Sequence, residues 1–185
     1  MSDFSLYQLT LSAGGVVFAA AACFVLCAAP ETLAKLEPWP RARKTGFVFG
    51  LAALLWCVPL VRPIAFDWLQ PLLLPAAIVL PFVCYFYLDY LFARALAGLM
   101  MLFAGYLVEN SFTFHSGGAP VIAVFSWLFG IGGILISAKP CYLRDYFRLL
   151  AAKKSVRRIS ALFLVLFGAV LWFAFFRHVG VGGRV

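Results

Sequence analysis

Charge is scarce in this sequence. Only 12% of its 185 residues are Asp, Glu, Lys or Arg, and just seven residues are acidic. An ordinary soluble domain carries roughly 25% charged residues. With 65% hydrophobic residues and a mean hydropathy of +1.01, a water-soluble fold would have to cover most of its surface with apolar side chains. Disorder is excluded for the same reason, since disordered chains are low in hydrophobicity. The net charge of +8 does not indicate nucleic-acid binding, because the basic residues fall in short runs between apolar stretches. Membrane topology produces that distribution. The sequence is that of a polytopic helical membrane protein.

Catalytic signatures are missing as well. There is no Gly-x-Ser-x-Gly elbow, no His-Glu-x-x-His helix and no Walker-type glycine loop. No ionisable residue falls near the middle of any predicted span, where a charge costs a few kcal/mol or more and would mark a functional site. This argues against a proton pump or an ion-coupled transporter built on buried carboxylates. The scattered acids do not supply the metal-binding set that an enzyme acting on phosphorylated lipids would use. We therefore expect no catalytic residues, no cofactor and no metal site.

Basic residues are absent from the first ten positions, whose one charge is Asp3. A secretory signal opens with a positively charged region, so residues 14–29 read as a retained membrane helix. The stretch Ala20-Ala21-Ala22-Cys23 only faintly resembles a lipoprotein cleavage site, because the basic start is lacking. The cysteines are Cys23, Cys27, Cys57, Cys84 and Cys141, an odd number, and four of them lie in apolar stretches. Cys23 and Cys27 share a helical face, but no second pair follows at zinc-site spacing. Cysteine reads here as a small hydrophobe.

A helix crossing the hydrocarbon core needs roughly 17 to 25 apolar residues. Stretches bounded by charge predict six spans, at 11–29, 45–61, 70–88, 90–108, 118–138 and 159–176. The fourth is the least distinct, with only fourteen uncharged residues between Arg94 and Glu109. A start near Tyr90 makes it adequate if the Arg94 guanidinium reaches back to the interface. One continuous helix from Pro71 to Val108 would run to roughly 55 Å, too long for one crossing, so the chain must turn tightly near Asp89.

Charge placement supports six. The first, third and fifth connections then hold twelve of the fifteen Lys and Arg residues, leaving Arg62, Arg177 and Arg184 on the other side. Five spans would separate the cluster at 41–44 from that at 153–158. The positive-inside rule places the basic connections in the cytoplasm and both termini outside it. The predicted fold is an all-α integral membrane bundle, a single transmembrane domain of six helices in three hairpins. The second arms share a basic residue, a small residue and an apolar run. That pattern fits either a degenerate threefold repeat or the ordinary start of any helix leaving the cytoplasm. Small residues recur at helical spacing at Gly46 and Gly50, Ser126 and Gly130, Gly133 and Ser137, and Gly98 and Gly105. Such faces suit a compact bundle or a partner helix equally. In the third span, Pro71 fits a helix start, while Pro81 lies deep and predicts a kink.

Three groups are candidate sites. Asp89 and Arg94 form a candidate interfacial pair flanked by Tyr85, Tyr87 and Tyr90, or else two headgroup-level charges in an aromatic belt. Glu109, Asn110 and His115, with Ser111 and Thr113, form a polar cluster on the predicted outer loop, with too few donors for zinc. The fifth connection carries seven basic residues and one acid, Asp145. There Leu143, Tyr146, Phe147 and Leu150 recur on one helical face. This predicts an amphipathic helix in the membrane surface whose Arg144, Arg148, Lys153, Lys154, Arg157 and Arg158 dock anionic lipid headgroups or a cytosolic partner. The alternative is that these charges only set topology.

The leading functional expectation is a small non-catalytic subunit or scaffold of a membrane complex, with a membrane-protein partner or further copies of itself. A small-solute transporter or channel and an enzyme acting on a lipid-like substrate are the alternatives. A bacterial inner membrane is the default location.

Overall fold

The computed structural model describes residues 3–114 and 118–182, and among these it is helical without a strand. In chain order the helices are α1 (Asp3–Cys27), α2 (Pro30–Ala34), α3 (Arg43–Val61), α4 (Gln70–Tyr87), α5 (Leu91–Thr113), α6 (Ala119–Ala138), α7 (Cys141–Ala152) and α8 (Lys154–Gly182). A 3₁₀ turn at Trp39–Arg41 precedes α3. Six of the helices, α1, α3, α4, α5, α6 and α8, are long and apolar enough to cross a membrane. Helix is the form such segments take in lipid, because it pairs every interior N–H and C=O within the segment.

Four helices outrun the predicted spans, α3 only slightly and α1, α5 and α8 by more than a turn. Helix α1 starts at Asp3 rather than near residue 11, and within it the Thr10 hydroxyl donates back to the Leu6 carbonyl at 2.8 Å. Tyr7 and Leu11 are then fully buried. Helix α5 continues to Thr113 rather than stopping at 108. Helix α8 takes up Lys154 through Arg158 before its apolar run; its 29 residues measure about 43 Å, more than a hydrocarbon core needs.

Proline is accommodated as its ring requires. Pro71 sits in the first turn of α4, where its missing N–H would be unpaired in any case. Pro75 and Pro81 lie inside α4, and Pro81 is buried. The tight turn expected near Asp89 is present. Leu88 is extended, Tyr90 adopts φ 59°, and α5 begins at the next residue. A left-handed tyrosine is uncommon, and here it lies in the three-residue break between α4 and α5.

Two compact units divide the chain. One comprises the described parts of 1–34, 104–128 and 148–185, and the other those of 35–103 and 129–147. In the first, α1 packs along α8. The helices approach because Gly15 leaves room for the Trp172 indole, and Gly168 lies so near that a Cβ there would be 3.2 Å from the Gly15 carbonyl oxygen. Phe18 and Phe167 meet at a centroid distance of 4.6 Å, and Phe125 stacks on Phe167 at 5.7 Å.

In the second unit α3 packs on α4, with Phe47 edge-on to Phe82 at 4.8 Å. Gly46 of α3 lies against the start of α5; a Cβ there would fall 2.5 Å from the Phe92 backbone nitrogen. Gly133 of α6 does the same against α5, 2.9 Å from the Ala97 oxygen. Neither pair is the two arms of one predicted hairpin: α3–α4 brings together the first and second of these, and α1–α8 the first and third. A small core of Phe92, Ala93 and Leu143 brings α7 onto the first turn of α5, with Tyr90, Leu96, Ile136 and Phe147 around it.

Candidate functional site

The residues that connect the apolar helices carry nearly all the polar chemistry. In the first unit the principal group is Arg157. It lies in the first turn of α8, and its guanidinium donates to the Val25 carbonyl through Nε and Nη2, both at 3.1 Å. Nη2 also donates to Leu26 O at 3.0 Å and Ala28 O at 2.5 Å. Helix α1 ends at Cys27, so Val25 and Leu26 offer carbonyls its last turn leaves without an intrahelical partner, and Ala28 lies just beyond. A cation there also complements the negative end of the helix dipole. Arg157, expected among the docking residues, is thus engaged as a cap supplied by another helix. Its neighbours Lys153, Lys154 and Arg158 are exposed, as is Arg148.

In the second unit Arg144 pairs with Asp145 at 3.1 Å. The hydrogen bond and charge of Asp145 hold the Arg144 pKa above its ordinary value. Leu143 is buried and Phe147 half-buried, while Tyr146 is 38% exposed. Part of the apolar face of α7 is therefore covered by protein, through the Phe92–Ala93 core.

The α4–α5 turn is held from the α3 side. Arg41 donates to the Tyr90 hydroxyl at 2.7 Å, and its guanidinium carbon stands 5.0 Å from the ring centroid. Asp89 lies 3.8 Å from Arg43, with the two side chains 88% and 54% exposed. An ion pair so open to solvent contributes little. Asp89 thus meets Arg43 and not Arg94, which is exposed. Arg94 sits one turn into α5 with its N–H on the Tyr90 carbonyl.

The polar cluster at the end of α5 is a helix terminus rather than the expected loop. Asn110 donates to Tyr106 O at 2.8 Å, Ser111 to Val108 O at 2.9 Å and Thr113 to Glu109 O at 2.9 Å. Back-bonding of this kind satisfies short polar side chains inside a helix. Phe114, just beyond, stacks on Tyr7 at 5.3 Å. Glu109 is exposed. His115 lies outside the described residues, so its partnership with Glu109 has no geometry here. Among the described residues no three His, Cys, Asp or Glu side chains gather at metal-binding range.

A cleft of about 380 Å³ lies between α1 and α8, walled chiefly by Gly15, Ala19, Ala22, Gly168 and Ala169. Cys23 and Cys27 open onto it with their sulfurs 3.9 Å apart, and both side chains are exposed. Trp172, at the other end, donates its indole N–H to Ser12 O at 3.3 Å.

Sequence reasoning missed Arg157 as a cap and Arg41 as the partner of Tyr90. In sequence terms Arg157 differs in nothing from Arg158. No known protein family matches the chain, and no curated protein or solved structure is significantly similar to it.

Proposed function

We propose that this multi-pass membrane protein acts as a small non-catalytic subunit or scaffold, joining a partner through an open glycine-bearing face of α5. The observation that carries this reading is the contrast among its glycines. Those at 15, 46, 133 and 168 are filled by neighbouring atoms, whereas a Cβ at Gly98 or Gly105 would meet nothing within 4 Å. Gly98 and Gly105 lie seven residues apart, two turns along one helix. Small residues left open in this way let a second helix approach closely in lipid.

The proposed orientation follows the positive-inside rule, with the basic connections in the cytoplasm and both termini opposite. There α7, with Arg148, Lys153, Lys154 and Arg158 exposed beside it, lies against the anionic headgroups of a bacterial inner membrane.

Purification from native membranes in a mild detergent, followed by the mass of the intact particle, tests the reading. A stoichiometric partner or a homo-oligomer that is lost in Gly98→Leu and Gly105→Leu, with the chain still folded, is the expected result. A lone monomer of unchanged mass in all three proteins removes it and favours a solute transporter, for which flux assays are the next measurement.

A further inference from the structure

The geometry points to a binding site for a soft monovalent ion, of the class of Cu(I), held between the thiolates of Cys23 and Cys27. These two side chains project from successive turns at the end of α1, both exposed and with their sulfurs 3.9 Å apart. They face an apolar cleft whose other walls are small side chains together with Leu26, Val165 and Trp172, and both thiols are exposed to an approaching ion.

A disulfide is not the natural state of such a pair. Cβ atoms one helical turn apart are about 5–6 Å from each other. A disulfide brings them to about 3.8 Å, which would unwind the end of α1. The pair is a standing dithiol, and a dithiol is a chelator.

The ligand count selects the ion. Zinc takes four protein donors at a structural site and three at a catalytic one. Here two sulfurs come together and no third His, Cys, Asp or Glu joins them among the described residues. Thiolate donors favour soft ions, Cu(I) first among those common in cells. Cu(I) is also satisfied by two sulfurs in a line. Two-coordinate Cu(I)–sulfur bonds are somewhat shorter than the roughly 2.3 Å of zinc–sulfur bonds, so a linear site sets its sulfurs at a little under about 4.6 Å. The pair therefore opens by well under an ångström, within reach of a small side-chain rotation.

Charge and proton balance are consistent with this site. Binding converts two thiols and one Cu(I) into a bis-thiolate complex of net charge −1, with release of two protons and no change of oxidation state. The Arg157 guanidinium rests on the carbonyls of Val25, Leu26 and Ala28, the residues flanking Cys27, and places a compensating positive charge at that end of the helix.

The test uses the full-length reduced protein in mild detergent, titrated anaerobically with Cu(I) against a chromophoric Cu(I) chelator. The expected result is one ion per chain with two protons released. Cys23→Ser or Cys27→Ser should then weaken binding by more than about a hundredfold, beyond the 10–100-fold that outer-shell changes cost. Cys57→Ser, Cys84→Ser and Cys141→Ser should leave it unchanged. In the unaltered protein the ion should shield Cys23 and Cys27 from maleimide, a readout that does not depend on variants folding. Copper retained no better than by free dithiothreitol, or retained equally by the Cys23→Ser/Cys27→Ser double variant, overturns the assignment, as does unshielded alkylation of the pair.

Discussion

At the scale of single residues, identical side chains have been given different work. Four glycines show this with opposite signs. A methyl group at Gly46 would strike the backbone of Phe92, which no side-chain rotation can relieve. Gly46→Ala should therefore destabilise the protein by about 1–3 kcal/mol, as overpacking does. Gly133→Ala should fall in the same range, since the Ala97 carbonyl stands in its way. In the isolated chain, freed of the partner proposed for that face, Gly98→Ala and Gly105→Ala meet open space inside a helix and should stabilise by about 0.5–1 kcal/mol. Thermal unfolding of the four variants in one detergent checks both signs. Arginine divides in the same way. Loss of Arg157 strips hydrogen bonds from the last carbonyls of α1, so Arg157→Gln should cost about 1–3 kcal/mol. Arg158→Gln should cost nothing measurable, because that side chain is exposed. Equal melting temperatures for the two variants would contradict the capping role. Ser126 supplies a further case, with a buried hydroxyl that has no hydrogen-bond partner. Ser126→Ala removes an unsatisfied polar group and should raise the melting temperature.

At the scale of elements, α7 is where sequence and structure meet most usefully. Of the four positions that periodicity places on one apolar face, Leu143 and Leu150 are buried, Phe147 is half-buried and Tyr146 is exposed. What periodicity left open was the surface that receives them. For Leu143 it is Phe92 and Ala93 at the start of α5 rather than lipid alone. The docking reading therefore rests on the exposed Arg148, Lys153, Lys154 and Arg158. Anionic phosphatidylglycerol added to detergent micelles should raise the unfolding temperature of the unaltered protein. It should do so much less when these four residues are changed to glutamine, at about 1 kcal/mol per basic residue near a charged surface. Equal stabilisation of both proteins would leave the charges with a topological role only. Helix ends show a related limit of sequence reasoning. The polar side chains of Asn110, Ser111 and Thr113 suggest a loop at the end of α5, yet each bonds a carbonyl one turn back.

At the scale of the whole chain, the proposed sidedness can be tested directly. Single cysteines introduced at Lys153 and at Ile64, in a background lacking the native five, should differ in reaction with an impermeant maleimide applied to intact cells. The second should label and the first only after lysis. The opposite pattern would invert the proposed orientation, and labelling of both from one side would remove a crossing.

The chain's own composition determined its class, because 12% charge and long apolar runs leave lipid as the only solvent for most of its surface. It also determined the count of six helices and the turn at Asp89, since the length of a crossing and the position of charges are local properties. Tertiary structure alone decided which glycine is filled and which is open, which arginine is a cap and which is free, and that Asp89 meets Arg43. Those outcomes depend on residues far apart in the chain that arrive at one place, as Val25 and Arg157 do. Lipid offers adjacent helices no hydrophobic contrast with their surroundings, so close packing and hydrogen bonds select the neighbours; small residues at helical spacing mark a face that can pack, but not which helix packs on it.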